Sequence, residues 1–74
     1  MKNQFSFEFT QQIGDNFTPS AKISQFSRIN GYKTDYRYFT QYIIIKGIAY
    51  TYHHYDITPI SASREKVTIY LEEV

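Results

Sequence analysis

The chain has no cysteine and no tryptophan, and only three glycines, two prolines and one methionine among its 74 residues. Without cysteine there is no disulfide, no thiolate metal site and no cysteine nucleophile. Gly14, Gly31 and Gly47 stand far apart, so neither a P-loop nor a dinucleotide-binding glycine turn can be assembled, and no G-x-S-x-G is present. No run approaches the roughly 18 apolar residues of a membrane span. The opening MKNQFSFEFT alternates polar and apolar residues and lacks the continuous apolar stretch of a signal peptide. An excess of one charge is also missing: eight basic and seven acidic residues leave a formal charge of +1. A duplex-DNA binder needs a marked basic excess, because phosphate neutralisation dominates its affinity. The acidic residues Glu8, Asp15, Asp35, Asp56, Glu65, Glu72 and Glu73 form no evident acid–base pair in the sequence. These absences predict a soluble, cytoplasmic protein that is not an enzyme, carries no cofactor and enters no membrane.

Seventy-four residues make one domain, spanning 1–74. A chain of this size buries only roughly 60% of its unfolded surface, so its stability margin is small. What the sequence does have is aromatics, eight tyrosines and six phenylalanines, too many for a disordered chain.

Phe5, Phe7 and Phe9 alternate with polar residues and predict a half-buried strand. Thr18-Pro19 has the form of a helix start and Asn30-Gly31 of a helix stop. Between them Ile23, Phe26 and Ile29 recur every third residue, which predicts a helix with those three inward and Ser20, Ser24, Ser27 and Arg28 outward. An alternative makes Asn30-Gly31 a hairpin turn between two strands. Residues 33–45 and 48–57 alternate again, joined at Lys46-Gly47. Lysine suits the first position of a tight type I′ turn poorly, so a bulged loop with glycine in the left-handed position is expected there. Val67, Ile69 and Leu71 mark the last strand. The predicted fold is α+β, a small antiparallel sheet of about four strands with one helix packed on one face in the order β-α-β-β-β. The alternative is an all-β, five-stranded small barrel.

Seven of the eight tyrosines lie between Tyr32 and Tyr55. A buried tyrosine must find a partner for its hydroxyl, so a run this rich in tyrosine is not a simple core. Strand parity places Phe39, Ile43, Ile45, Ile48, Tyr50 and Tyr52 inward. It places Tyr36, Tyr38, Tyr42, Ile44, His53 and Tyr55 on the opposite face. Tyrosine favours strands, so these rings could simply decorate an exposed sheet. Tyrosine is also the residue that interfaces select. The sequence therefore nominates Tyr36, Tyr38, Tyr42 and Tyr55 as the core of a partner-binding surface, with Arg37, Lys33 and His53 at its rim. A protein partner, or a second copy in a homo-oligomer, fits that surface. Single-stranded nucleic acid is the alternative, with rings stacking on bases and Lys33, Arg37, Lys46 and Arg28 following phosphates. Asp35 and Asp56 weaken that electrostatic path. His53 and His54 suggest a metal, but strand parity points His53 away from His54 and Asp56, which leaves too few ligands for zinc.

No segment carries a motif that names a family. Small, cysteine-free, single-domain chains with this polar, tyrosine-rich composition resemble in general style the proteins of phages and other mobile elements. Some of those, anti-CRISPR proteins among them, inhibit host or defence machinery by steric masking. The resemblance implies a binding protein that covers a partner's surface, in the host cytoplasm if phage-encoded.

Overall fold

The alternation of Phe5, Phe7 and Phe9 becomes strand β1 (Gln4–Gln12) in the computed structural model, which describes residues 2–74. Helix α1 (Pro19–Asn30) follows, then strands β2 (Lys33–Arg37), β3 (Thr40–Ile45), β4 (Ile48–Pro59) and β5 (Arg64–Glu73). All five strands form one antiparallel sheet in the order β1-β5-β4-β3-β2. The two ends of that order do not pair with each other, so the sheet is open and the barrel is excluded. The sheet has five strands where about four are expected, because the alternating run 33–45 is divided into β2 and β3.

The helix begins and ends where its sequence signals stand. Thr18 is the extended N-cap residue and Pro19 occupies the first turn. Gly31 closes the helix in the left-handed conformation (φ 74°), and the Tyr32 N–H donates to the Ser27 carbonyl at 2.8 Å.

The inward stripe of the helix differs from the expected one. Ile23 and Ser27 are buried and Phe26 is half-buried, while Ile29 is 76% exposed. Each residue advances about 100° around the axis, so a spacing of three repeated twice carries Ile29 about 120° away from Ile23, whereas Ser27 lies only about 40° from it. Ser27 tolerates burial because its hydroxyl donates to the Ser24 carbonyl at 2.9 Å. Replacing Ile29 with Ser is therefore expected to change stability by no more than about 0.5 kcal/mol in urea unfolding. A loss on the scale of a core truncation, about 2–5 kcal/mol, would place Ile29 back in the core.

One face of the sheet and the helix enclose Ile23, Ile43, Ile45, Tyr50, Val67, Ile69 and Leu71. Phe5, Phe7, Phe9, Phe17, Phe26, Tyr32 and Ile48 pack around them. The interior strand β5, paired on both sides by β1 and β4, contributes Val67, Ile69 and Leu71, which are almost fully buried. One residue expected inside lies outside, Phe39, which is fully exposed; Tyr52, paired with Leu71, does face the helix side as expected but is left 37% exposed there. Lys46 and Gly47 form a two-residue turn between paired Ile45 and Ile48, with positive φ at both (51° and 81°). This is the type I′ geometry that lysine disfavours, in place of the expected bulged loop. Its register is set by burial. A slip of one residue would turn Ile43, Ile45 and Tyr50 out to solvent, so the strands hold the turn despite its residues.

Candidate functional site

The chain reverses at Tyr38-Phe39, between paired Arg37 and Thr40. Both turn residues have positive φ, 51° and 66°, again the twist that joins antiparallel strands over two residues. Neither is a residue that the turn favours. Left-handed backbone costs a side chain with a Cβ roughly 1–2 kcal/mol. Neither ring recovers that through burial, since Tyr38 is 94% and Phe39 106% exposed. Two large aromatics thus project into solvent from the outer end of the sheet.

This reversal also splits the predicted tyrosine face. With residues 38 and 39 in the turn, Tyr36 pairs with Gln41 and Asp35 with Tyr42, so Tyr36 and Tyr42 occupy opposite faces. Tyr36 lies on the helix side, where Gln41 Nε2 donates to its hydroxyl at 3.2 Å and to Ser24 Oγ of the helix at 2.8 Å. A bulge between Tyr52 and His54 shifts parity a second time. Tyr55, paired with Ile69, consequently also faces the helix side and meets Phe17 edge-on at 4.9 Å between ring centroids. Tyr42 remains on the open face, half-buried in a shallow cleft with Asp35, Arg37 and Ile44. The four nominated tyrosines therefore form no single patch.

The rim residues are also distributed. Lys33, Asp35 and Arg37 share the open face of β2, and Arg37 Nε sits 3.4 Å from Asp35 Oδ2. Both partners are exposed, so the pair adds little stability, but it offsets the cation that a phosphate would need. His53 lies within the bulge. Its Nδ1 is 2.6 Å from His54 Nδ1, its Nε2 is 3.6 Å from Glu72, and His54 stacks on Tyr70 at 4.5 Å. The two imidazoles that parity separated are thus brought together, one Nδ1 donating and the other accepting. Among the described residues no group of three His, Cys, Asp or Glu side chains is placed to hold a metal ion.

Beside the turn, on the helix side, is a cavity of about 530 Å³ lined by Pro19, Ile23, Tyr36, Phe39, Gln41 and Tyr52. Gln41 Oε1 is buried without a hydrogen-bond partner. The Tyr52 hydroxyl is held above its ordinary pKa of 10.0, first by desolvation and then by the neighbouring Tyr55. Tyr52 therefore stays neutral and remains a hydrogen-bond donor at physiological pH. Against family models, curated proteins and solved structures the chain gives no significant match. No helix among the described residues is long and apolar enough to cross a membrane.

Phe39 is the residue that sequence reasoning missed. Parity along an uninterrupted strand sent it inward, and nothing local announces a reversal there, because Tyr-Phe is not a turn dipeptide.

Proposed function

We propose that the chain is a small, non-enzymatic binding protein that covers a surface on a protein partner, anchored by Tyr38 and Phe39 at the β2–β3 turn. One observation carries this reading: two fully exposed aromatics held in left-handed backbone. Folding alone would favour Asn-Gly at such a turn. Retaining two large rings there makes physical sense if they are buried in a partner, since aromatic anchors dominate interface energetics. An unusual backbone conformation at an exposed position is a recognised pointer to function. Tyr36 and the cavity behind Phe39 adjoin the anchor, and a partner's donor reaching Gln41 Oε1 would satisfy that buried acceptor. Lys33, Arg37 and Tyr42 form the polar flank on the open face, with His53 farther along the sheet. The resemblance in style to phage and mobile-element proteins implies the form of this reading in which the covered surface belongs to host or defence machinery.

The test is affinity capture with the wild-type chain and with the double variant Tyr38→Asn/Phe39→Gly. The variant is expected to bind the captured protein at least about 30-fold more weakly, the loss of one hot spot of about 2 kcal/mol or more. Ile60→Ser, which removes an exposed side chain outside the site, should leave binding unchanged. Undiminished binding by the double variant would refute the anchor. Titration with short single-stranded DNA and RNA at two salt concentrations is expected to show no binding. Binding that weakens steeply with salt would replace the protein partner with nucleic acid.

A further inference from the structure

The two edges of the sheet are built differently. The edge strand β2 is five residues long and carries Lys33, Asp35 and Arg37, the charges that protect an edge from pairing. The opposite edge strand, β1, is nine residues long, with no proline and no bulge in its register with β5, and its one charged residue is Glu8. Glu8 is already paired with Lys66 at 3.5 Å.

The backbone groups that β1 leaves free follow from its hydrogen bonds. The Ile13 N–H donates to Ser63 O at 3.0 Å and the Glu73 N–H to Asn3 O at 2.9 Å. Both bonds lie on the β1–β5 register, so the odd-numbered residues of β1 turn their N–H and C=O towards β5. The even-numbered residues turn theirs outward. Gln12 is closed off locally, its N–H donating to Asp15 Oδ2 at 3.2 Å and its carbonyl accepting the Asp15 N–H at 3.0 Å. Gln4, Ser6, Glu8 and Thr10 are left presenting both groups to the outside.

We infer that this edge pairs, antiparallel, with the same edge of a second copy of the chain. The four free residues are symmetric about Phe7. Gln4 then faces the partner's Thr10 and Ser6 faces the partner's Glu8. Over the four such pairs between Gln4 and Thr10, at two bonds each, every outward N–H and C=O is used in eight hydrogen bonds. The same register sets Phe7 against the partner's Phe7 and Phe5 against the partner's Phe9, on the apolar side of the sheet, and puts no two like charges directly opposite. A second feature lies on that side. A groove of about 310 Å³ runs between β1 and the helix, lined by Phe7, Phe9, Lys22, Phe26 and Ile29. Ile29, exposed in the single chain, borders the space that the partner's phenylalanines enter. The contact is isologous, so it closes at two copies and does not propagate. It uses the edge opposite the β2–β3 turn and stands independently of the anchor.

Sedimentation of the full chain over a concentration series, with charge substitutions at Ser6, tests this. The 8.8 kDa chain is expected to shift to twice that mass with rising concentration. Ser6→Glu sets like charges opposite each other twice and is expected to weaken the dimer at least tenfold. Ser6→Lys sets opposite charges there and is expected to tighten it. Both variants should unfold at the wild-type urea midpoint when monomeric, because the Ser6 side chain is exposed and its backbone groups face away from β5. Hydrogen exchange at Gln4, Ser6, Glu8 and Thr10 should slow with concentration. A chain that stays monomeric at every soluble concentration would overturn the inference, as would a dimer indifferent to the sign of charge at position 6. Capture of another protein's extended peptide at this edge, with the chain itself monomeric, would overturn the second copy as the occupant.

Discussion

Ile69→Ala is expected to lower stability by about 3–5 kcal/mol and to leave a large fraction of the chain unfolded at 37 °C. Ile69 is fully buried at the middle of β5, between Phe7 on one neighbouring strand and Tyr55 on the other. Truncating it removes apolar burial and opens a cavity in a strand that cannot move to fill it, since both its edges are hydrogen-bonded. The whole stability of a small domain lies near the lower end of about 5–15 kcal/mol, so the loss is of the order of the total. Circular dichroism against temperature and urea, at one fixed protein concentration, measures it. A loss below about 1 kcal/mol would show that the β5 core is not what holds the sheet together.

Tyr38→Asn/Phe39→Gly is expected to act in the opposite direction and raise stability by about 1–3 kcal/mol. The substitution gives up no burial, because both rings are exposed, and it relieves left-handed backbone at two successive positions. For a domain of this length each kcal/mol corresponds to roughly 4–8 °C in Tm. Lys46→Asn offers an internal comparison, since Lys46 has the same φ of 51° in the other two-residue turn. It should stabilise by a similar mechanism while leaving partner capture intact. A variant that is more stable yet fails to bind is the signature of a site kept at the expense of folding. If the double variant is instead destabilised by more than about 1 kcal/mol, the two rings contribute to the fold and the anchor assignment falls.

Much of the fold was legible because its signals are local. The Phe5-Phe7-Phe9 alternation, the Val67-Ile69-Leu71 strand, Thr18-Pro19 as helix start and Gly31 as helix stop all appear where they were expected. The burial of Ile43, Ile45 and Tyr50 on one face was likewise readable from strand parity. The candidate site was less legible, and for a specific reason. Parity is informative only along an uninterrupted strand, and two interruptions in the tyrosine-rich run each invert it. The reversal at Tyr38-Phe39 sends Tyr36 to the helix side, and the bulge at His53 does the same to Tyr55. Neither is marked by glycine, asparagine or proline. Both are visible only in how the strands pair, Arg37 with Thr40 at the reversal and Tyr52 with Leu71 before the bulge. On the helix, the spacing of three between Ile23, Phe26 and Ile29 is the more conspicuous pattern, but the buried stripe from Ile23 to Ser27 has a spacing of four and contains a serine.

The strand order has a consequence for how the molecule comes into being. Strand β5, the last of the five to be synthesised, lies between β1 and β4. Until it leaves the ribosome, β1 and the β2–β3–β4 meander have no hydrogen-bonded connection, and the β1 phenylalanines have no sheet to join. Closing β1 onto β5 brings Gln4 to Glu72, the pairing with the largest sequence separation in the sheet and hence the greatest loop-closure cost. The sheet is therefore completed only once β5 is available, and in the interval before it both sides of β1 are open to other chains. A nascent or truncated chain that lacks β5 is the form most exposed to aggregation and to proteolysis.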